Sequence, residues 1–154
     1  MIHHISIAAN DPLHVAQVLA EMFAGQAIPF PEHPGSYIAL PLDLHGTMIE
    51  VHPRGTELMP GSGMEACQAR QNSNPSPYTA THAAISVSTS EDHIRAIAER
   101  EGWHIAQFSR QDFFDVIEVW VENQLLLEFL PPALAAKYLD FMQSTQLKQI
   151  LAAV

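Results

Sequence analysis

Four residues carry the chemistry legible in this sequence: His4, Glu50, His82 and Glu128. Residues 4 and 50 are 46 positions apart, and residues 82 and 128 repeat that step, so the second pair follows the first at a constant offset of 78. The surrounding residues agree, since His4-Ile5-Ser6-Ile7 resembles His82-Ala83-Ala84-Ile85 and Met48-Ile49-Glu50-Val51 resembles Leu126-Leu127-Glu128-Phe129. Repetition at a fixed interval is the mark of one structural unit used twice. A glutamate set among Leu125 to Leu127, Phe129 and Leu130 is costly to bury without a partner, and the same holds for Glu50 between Ile49 and Val51. One divalent metal ion removes that cost. Two imidazoles and two carboxylates suit Zn, Ni, Mn or Fe and leave positions open for water or substrate. The absence of thiolate argues against a soft structural zinc site.

The elements that must position these residues follow from periodicity. Residues 2–9 alternate as a strand, with Ile5 and Ile7 on one face and His4 and Ser6 on the other. Asn10-Asp11-Pro12 opens a helix whose stripe of Leu13, Ala16, Val18, Leu19, Met22 and Phe23 runs to about residue 24. Strands follow over 27–30, 37–42 and 47–52, with a turn at 43–46. The second pass repeats the order: a strand over 81–87, a helix started by Ser90 and ended by Gly102, then strands over 104–108, 116–121 and 125–130, with Glu122-Asn123 turning between the last two. Within each pass, alternation sends His4, Glu50, His82 and Glu128 to the face away from the helices. Ser6, Ala8, Ala84 and Ser86 leave room for a cavity there.

The sequence therefore divides into a first module over 1–53, a linker over 54–79, a second module over 80–131 and a helical tail over 132–154. The linker is rich in Pro and Gly, with room for a short helix but no strong period. The tail sets Leu134, Tyr138, Phe141, Leu147, Ile150 and Leu151 at helical spacing, to cover the sheet or a partner chain.

Composition narrows the function classes. The formal charge of −10 repels phosphate backbones and argues against a nucleic-acid partner. The single cysteine, Cys67, forms no internal disulfide, which fits a reducing, cytoplasmic setting. No signal peptide is visible, and the apolar stretch over 113–130 is interrupted by four acidic residues, so no membrane span is expected. Among the remaining polar residues, His52 lies two positions from Glu50 on the same strand face and is a candidate substrate contact. Trp120 shares a face with Glu118 and is another, although core packing suits it equally. The Phe113-Phe114 pair reads as a hydrophobic anchor or a lid.

The His-Glu-His-Glu pattern, with His4 seven residues before Asp11 and His82 opening the second pass, resembles the vicinal oxygen chelate superfamily. That superfamily includes glyoxalase I, methylmalonyl-CoA epimerase, extradiol dioxygenases and the fosfomycin- and bleomycin-resistance proteins. The resemblance covers both modules. It implies an α+β fold of two tandem βαβββ modules, a cup-shaped mixed sheet with helices outside, and metal ligands on the first and fourth strands. The ligand pattern is closest to glyoxalase I, because epimerases commonly carry Gln at the position of Glu50 and dioxygenases lack a Glu ligand there. The resemblance implies an enzyme, a metal-dependent isomerase or lyase acting on a small carbonyl substrate through a metal-chelated enediolate. Glu128 would be the base and Glu50 the ligand or second proton carrier. It also implies a homodimer. An extradiol-type dioxygenase and a non-catalytic resistance-type binding protein are the alternative readings. The Arg that microbial glyoxalase I usually carries on its first strand is replaced by Ala8, which leaves Arg54 or Arg110 to hold a glutathione carboxylate.

Overall fold

The computed structural model describes residues 2–152, the side chains at 146, 150 and 151 excepted. The chain divides into two compact units, Met1–Tyr78 and Thr79–Val154.

In the first unit, β1 (His4–Ala9) leads into α1 (Pro12–Met22), then β2 (Gln26–Pro29), β3 (Tyr37–Leu40) and β4 (Met48–Pro53). The sheet order is β1-β4-β3-β2, with β1 parallel to β4 and the other pairs antiparallel. Asp11 caps α1 by accepting the His14 amide at 3.0 Å, and Pro12 occupies the first turn, where its missing N–H costs nothing. Val15, Ala16, Leu19 and Met22 of α1 are buried with Ile7, Ile49 and Val51 of the sheet. This is the apolar face that alternation predicts. Leu13 departs from the expected stripe: it is exposed at the first turn of α1, before that helix meets the sheet. The third strand ends at Leu40 rather than residue 42 because Pro41 lacks a donor and Leu42 turns left-handed at φ 58°. The turn that follows is built by Asp43, whose carboxylate accepts the amides of His45 and Thr47. Gly25 is required at the entry to β2, since a Cβ there would lie 1.9 Å from the Leu40 carbonyl oxygen.

The segment after β4 holds a two-stranded hairpin, β5 (Thr56–Met59) with β6 (Gln68–Gln71), in place of the short helix its composition allowed.

The second unit repeats the order with β7 (Ala83–Ser86), α2 (Glu91–Glu101), β8 (His104–Arg110), β9 (Phe114–Val121) and β10 (Leu125–Leu130), arranged β7-β10-β9-β8. Ser90 caps α2 through the His93 amide, and Gly102 closes it in the left-handed conformation at φ 68°. Leu125, Leu127 and Phe129 sit opposite Val121, Val119 and Ile117, all of them buried. The turn between β9 and β10 carries Glu122 and Asn123 at positive φ. Asn123 then ties the hairpin to the end of α2 by accepting the His104 amide and donating to the Gly102 carbonyl.

After β10 come α3 (Pro132–Met142) and α4 (Thr145–Ala152). Phe141 stacks on Phe113 at 4.6 Å between centroids, and Tyr138 meets Phe114 edge-on at 4.8 Å, so the Phe pair anchors α3 to the hairpin of β8 and β9. Leu134 is buried. Ile150 and Leu151, also expected on the apolar stripe of the tail, lie outside the described side chains. Each unit is thus a βαβββ module of the α+β class. No helix among the described residues is long and apolar enough to cross a membrane.

Candidate functional site

The 78-residue repeat persists in the hydrogen-bond register. Ser6 of β1 stands opposite Glu50 of β4, and Ala84 of β7 stands opposite Glu128 of β10, so matching residues pair in matching parallel ladders. Parallel pairing of first and fourth strands is what brings residues 46 apart into proximity.

In the first unit the imidazole and the carboxylate meet. His4 Nε2 lies 3.8 Å from Glu50 Oε1, a spacing suited to two ligands of one ion bonded at about 2.0–2.2 Å to each. Ser6 Oγ donates to Glu50 Oε2 at 2.6 Å, which fixes the carboxylate's rotation. On the same strand face His52 is buried, and its Nε2 lies 3.7 Å from Glu50 Oε2, beyond hydrogen-bond length. That nitrogen is buried without a hydrogen-bond partner, while Nδ1 is held by Ser36 Oγ at 2.9 Å. Burial above all, and then the neighbouring His33, push the His52 pKa below its ordinary value of 6.5, against a weaker opposing pull from Glu50. His52 is consequently a neutral imidazole at pH 7. Its near-complete burial makes it a support for Glu50 more readily than a contact for a ligand arriving from solvent.

In the second unit the two expected ligands have separate partners. His82 immediately precedes β7 instead of lying within it, and is exposed. Its Nδ1 donates to the Ala80 carbonyl at 3.2 Å, which leaves Nε2 as the acceptor nitrogen, the tautomer a metal-binding imidazole needs. Glu128 is buried, 8% exposed, and its Oε1 accepts a short hydrogen bond from Arg110. The same Arg110 Nη2 donates to Glu118 Oε1 at 2.7 Å. Glu118 and then Glu128 drive the already high pKa of that guanidinium higher. Arg110 thus neutralises the carboxylate that spacing assigns to a metal. Trp120, the second candidate contact, is half-buried on the face shared by Glu118.

Among the described residues, no three His, Cys, Asp or Glu side chains gather at a spacing that would hold a metal ion. The donor types nonetheless suit a divalent ion within each unit taken by itself. In the first, His4 and Glu50 already face each other; in the second, His82 keeps Nε2 as an acceptor while Glu128 is engaged by Arg110. Ser6 and Ser36 were not singled out as site residues, although alternation puts Ser6 on the face of His4. Arg110 was expected only as a holder of a glutathione carboxylate, not as the partner of Glu118 and Glu128.

No family model matches the chain, and no curated protein matches it. Solved structures do. A glyoxalase family protein of Bacillus anthracis superimposes with a TM-score of 0.53 at 16% identity, covering 84% of this chain and 92% of that one. The fosfomycin resistance protein FosX of Listeria monocytogenes gives 0.51 at 15% identity over 84% of this chain and 90% of its own. FosX of Mesorhizobium loti gives 0.51 at 10% identity over 90% and 96%. The Listeria protein has been solved with Mn(II) and sulfate, and a Glu-to-Gln point mutant of it with Mn(II) and 1S,2S-dihydroxypropylphosphonic acid. With its two βαβββ modules and these neighbours, the chain has the fold of the vicinal oxygen chelate superfamily.

Proposed function

We propose that this chain is a metal-dependent enzyme of the glyoxalase-like type, an isomerase or lyase for a small carbonyl substrate. His4, Glu50, His82 and Glu128 are the ligands of one divalent ion in this reading, and the enzyme works as a cytoplasmic homodimer. The observation that supports the reading is the duplicated register, in which the first strand runs parallel to a glutamate-bearing fourth strand in each module, with a histidine at the start of β1 and another directly before β7. The Mn(II) bound by a protein of the same fold supports a divalent ion as the cofactor.

A bound divalent ion supplies Lewis-acid polarisation of the substrate carbonyl. The chain's own groups do the rest. Glu128, once free of Arg110, accepts at a carboxylate oxygen the proton of the carbon next to the carbonyl, then delivers it to the neighbouring carbon. Glu50 is held in place by Ser6 on Oε2 and keeps Oε1 turned to His4. Buried His52 sits 3.7 Å from the second oxygen of Glu50, on the same strand face.

Metal analysis of the purified protein tests this directly. The wild type should hold a divalent metal, and both His82→Ala and Glu128→Gln should hold much less; equal metal in all three removes the site. Turnover should then be sought with methylglyoxal and a panel of thiols. Fosfomycin belongs in the same panel, because two of the similar structures are named for resistance to it.

A further inference from the structure

The repeat is broken around the second glutamate. Ser6, which satisfies Glu50, is matched by Ala84, which has no hydrogen bond to offer Glu128. Across the antiparallel neighbour, Glu50 faces Ile38, whereas Glu128 faces Glu118 directly. Two carboxylates opposite one another on one face repel. Arg110 answers both. It lies on the strand face shared by Ala106 and Phe108, and Ala106 pairs with Glu118, so the long arginine side chain runs back along that face, past Phe108, to reach the acidic pair. From there one nitrogen, Nη2, bridges the two Oε1 atoms.

We propose that Arg110 is a resident counter-cation which a divalent ion displaces from Glu128, and that Glu118 keeps the guanidinium in place when this happens. The proposal rests on the reading of Glu128 as a metal ligand. A guanidinium does not lose its proton in the working pH range, so Glu128 is released only by a competing cation or by movement of the arginine. Glu118 gives that movement a defined end point, since Arg110 keeps one of its two partners. The metal-free module thereby stays folded with no uncompensated buried carboxylate, and metal loading becomes an exchange of one cation for another. The first unit needs no such device, because serine and histidine already surround Glu50.

The test is titration of the full chain with Mn(II) by calorimetry, alongside thermal melts with and without Mn(II). Arg110→Gln should bind Mn(II) about tenfold more tightly than wild type, the equivalent of one charge-assisted hydrogen bond no longer opposing the ion. It should melt lower than wild type without metal and recover on adding Mn(II). Glu118→Gln should shift affinity the other way, because Arg110 then rests on Glu128 alone. Glu128→Gln serves as the control. If it weakens Mn(II) binding while Arg110→Gln binds no more tightly than wild type, the counter-cation is overturned and the metal site stands. Unchanged affinity in Glu128→Gln, or no Mn(II) binding by any of the proteins, overturns both.

Discussion

Replacing Ser6 by alanine removes one hydroxyl and nothing else from the pair on which the first unit's site is built. Its Oγ donates at 2.6 Å to Glu50 Oε2, and the Glu50 side chain is 14% exposed. A hydrogen bond to a charged group contributes about 1.5–3 kcal/mol, and the carboxylate's residual contact with water draws the expected loss to about 1.5 kcal/mol. Alanine already occupies the matching register position in the second unit, at Ala84, so the change reports the hydrogen bond and not repacking. For a chain of 154 residues that loss lowers the melting temperature by about 3–6 °C. A double-mutant cycle with Glu50→Ala isolates the pair and should return a coupling of about 1.5 kcal/mol in denaturant melts. Strict additivity, within about 0.3 kcal/mol, would refute the reasoning, since the hydroxyl would then not be restraining the carboxylate. With Mn(II) present, the same Ser6→Ala protein should bind the ion about 10–100-fold more weakly, as expected for a group that orients a ligand.

Other perturbations follow from the core and the loops. Phe129→Ala empties a fully buried site on β10, beside Ile117 of β9 and Ile85 of β7, and should cost about 3–5 kcal/mol in urea unfolding. Gly25→Ala forces a methyl group against the Leu40 carbonyl and should cost about 1–3 kcal/mol by the same measurement, with no change in the slope against denaturant. His52 has its pKa depressed by folding, so the unfolded chain binds the extra proton near pH 6.5 and the folded chain does not. Stability attributable to it is therefore present above that pH and is lost as pH falls through the lower, folded value. His52→Phe should flatten that acid limb in melts recorded from pH 7.5 to 5; an unaltered slope would show that another group controls it.

Much of the fold was legible because independent signals agreed. Asp11-Pro12 and Ser90 open helices, Gly102 ends one, and strand alternation coincides with the 46-residue step. The hairpin of β5 and β6 was not legible, since Thr56–Met59 and Gln68–Gln71 show neither alternation nor a buried face to enforce it. The environment of Glu128 was hidden by a single residue. A two-residue turn at Glu122-Asn123 would set Glu118 opposite Leu127, but the strands pair Leu125 with Val121 and leave Gln124 in the loop. Glu118 therefore meets Glu128, and Arg110, 8 and 18 residues from its two partners, becomes their common cation. Ser36 and His52 illustrate the same limit, for their contact depends on a loop conformation that no spacing encodes.

Closing each module with a parallel pair of its first and fourth strands has a kinetic consequence. β1 and β4 are joined only after the helix and two further strands have been laid down, so their ladder closes the longest loop in the unit. The local hairpins can zip at little entropic cost, whereas this closure must wait for them. The approach of His4 to Glu50 is accordingly a late event on the folding path. Substitutions there should leave the refolding rate almost untouched and accelerate unfolding instead.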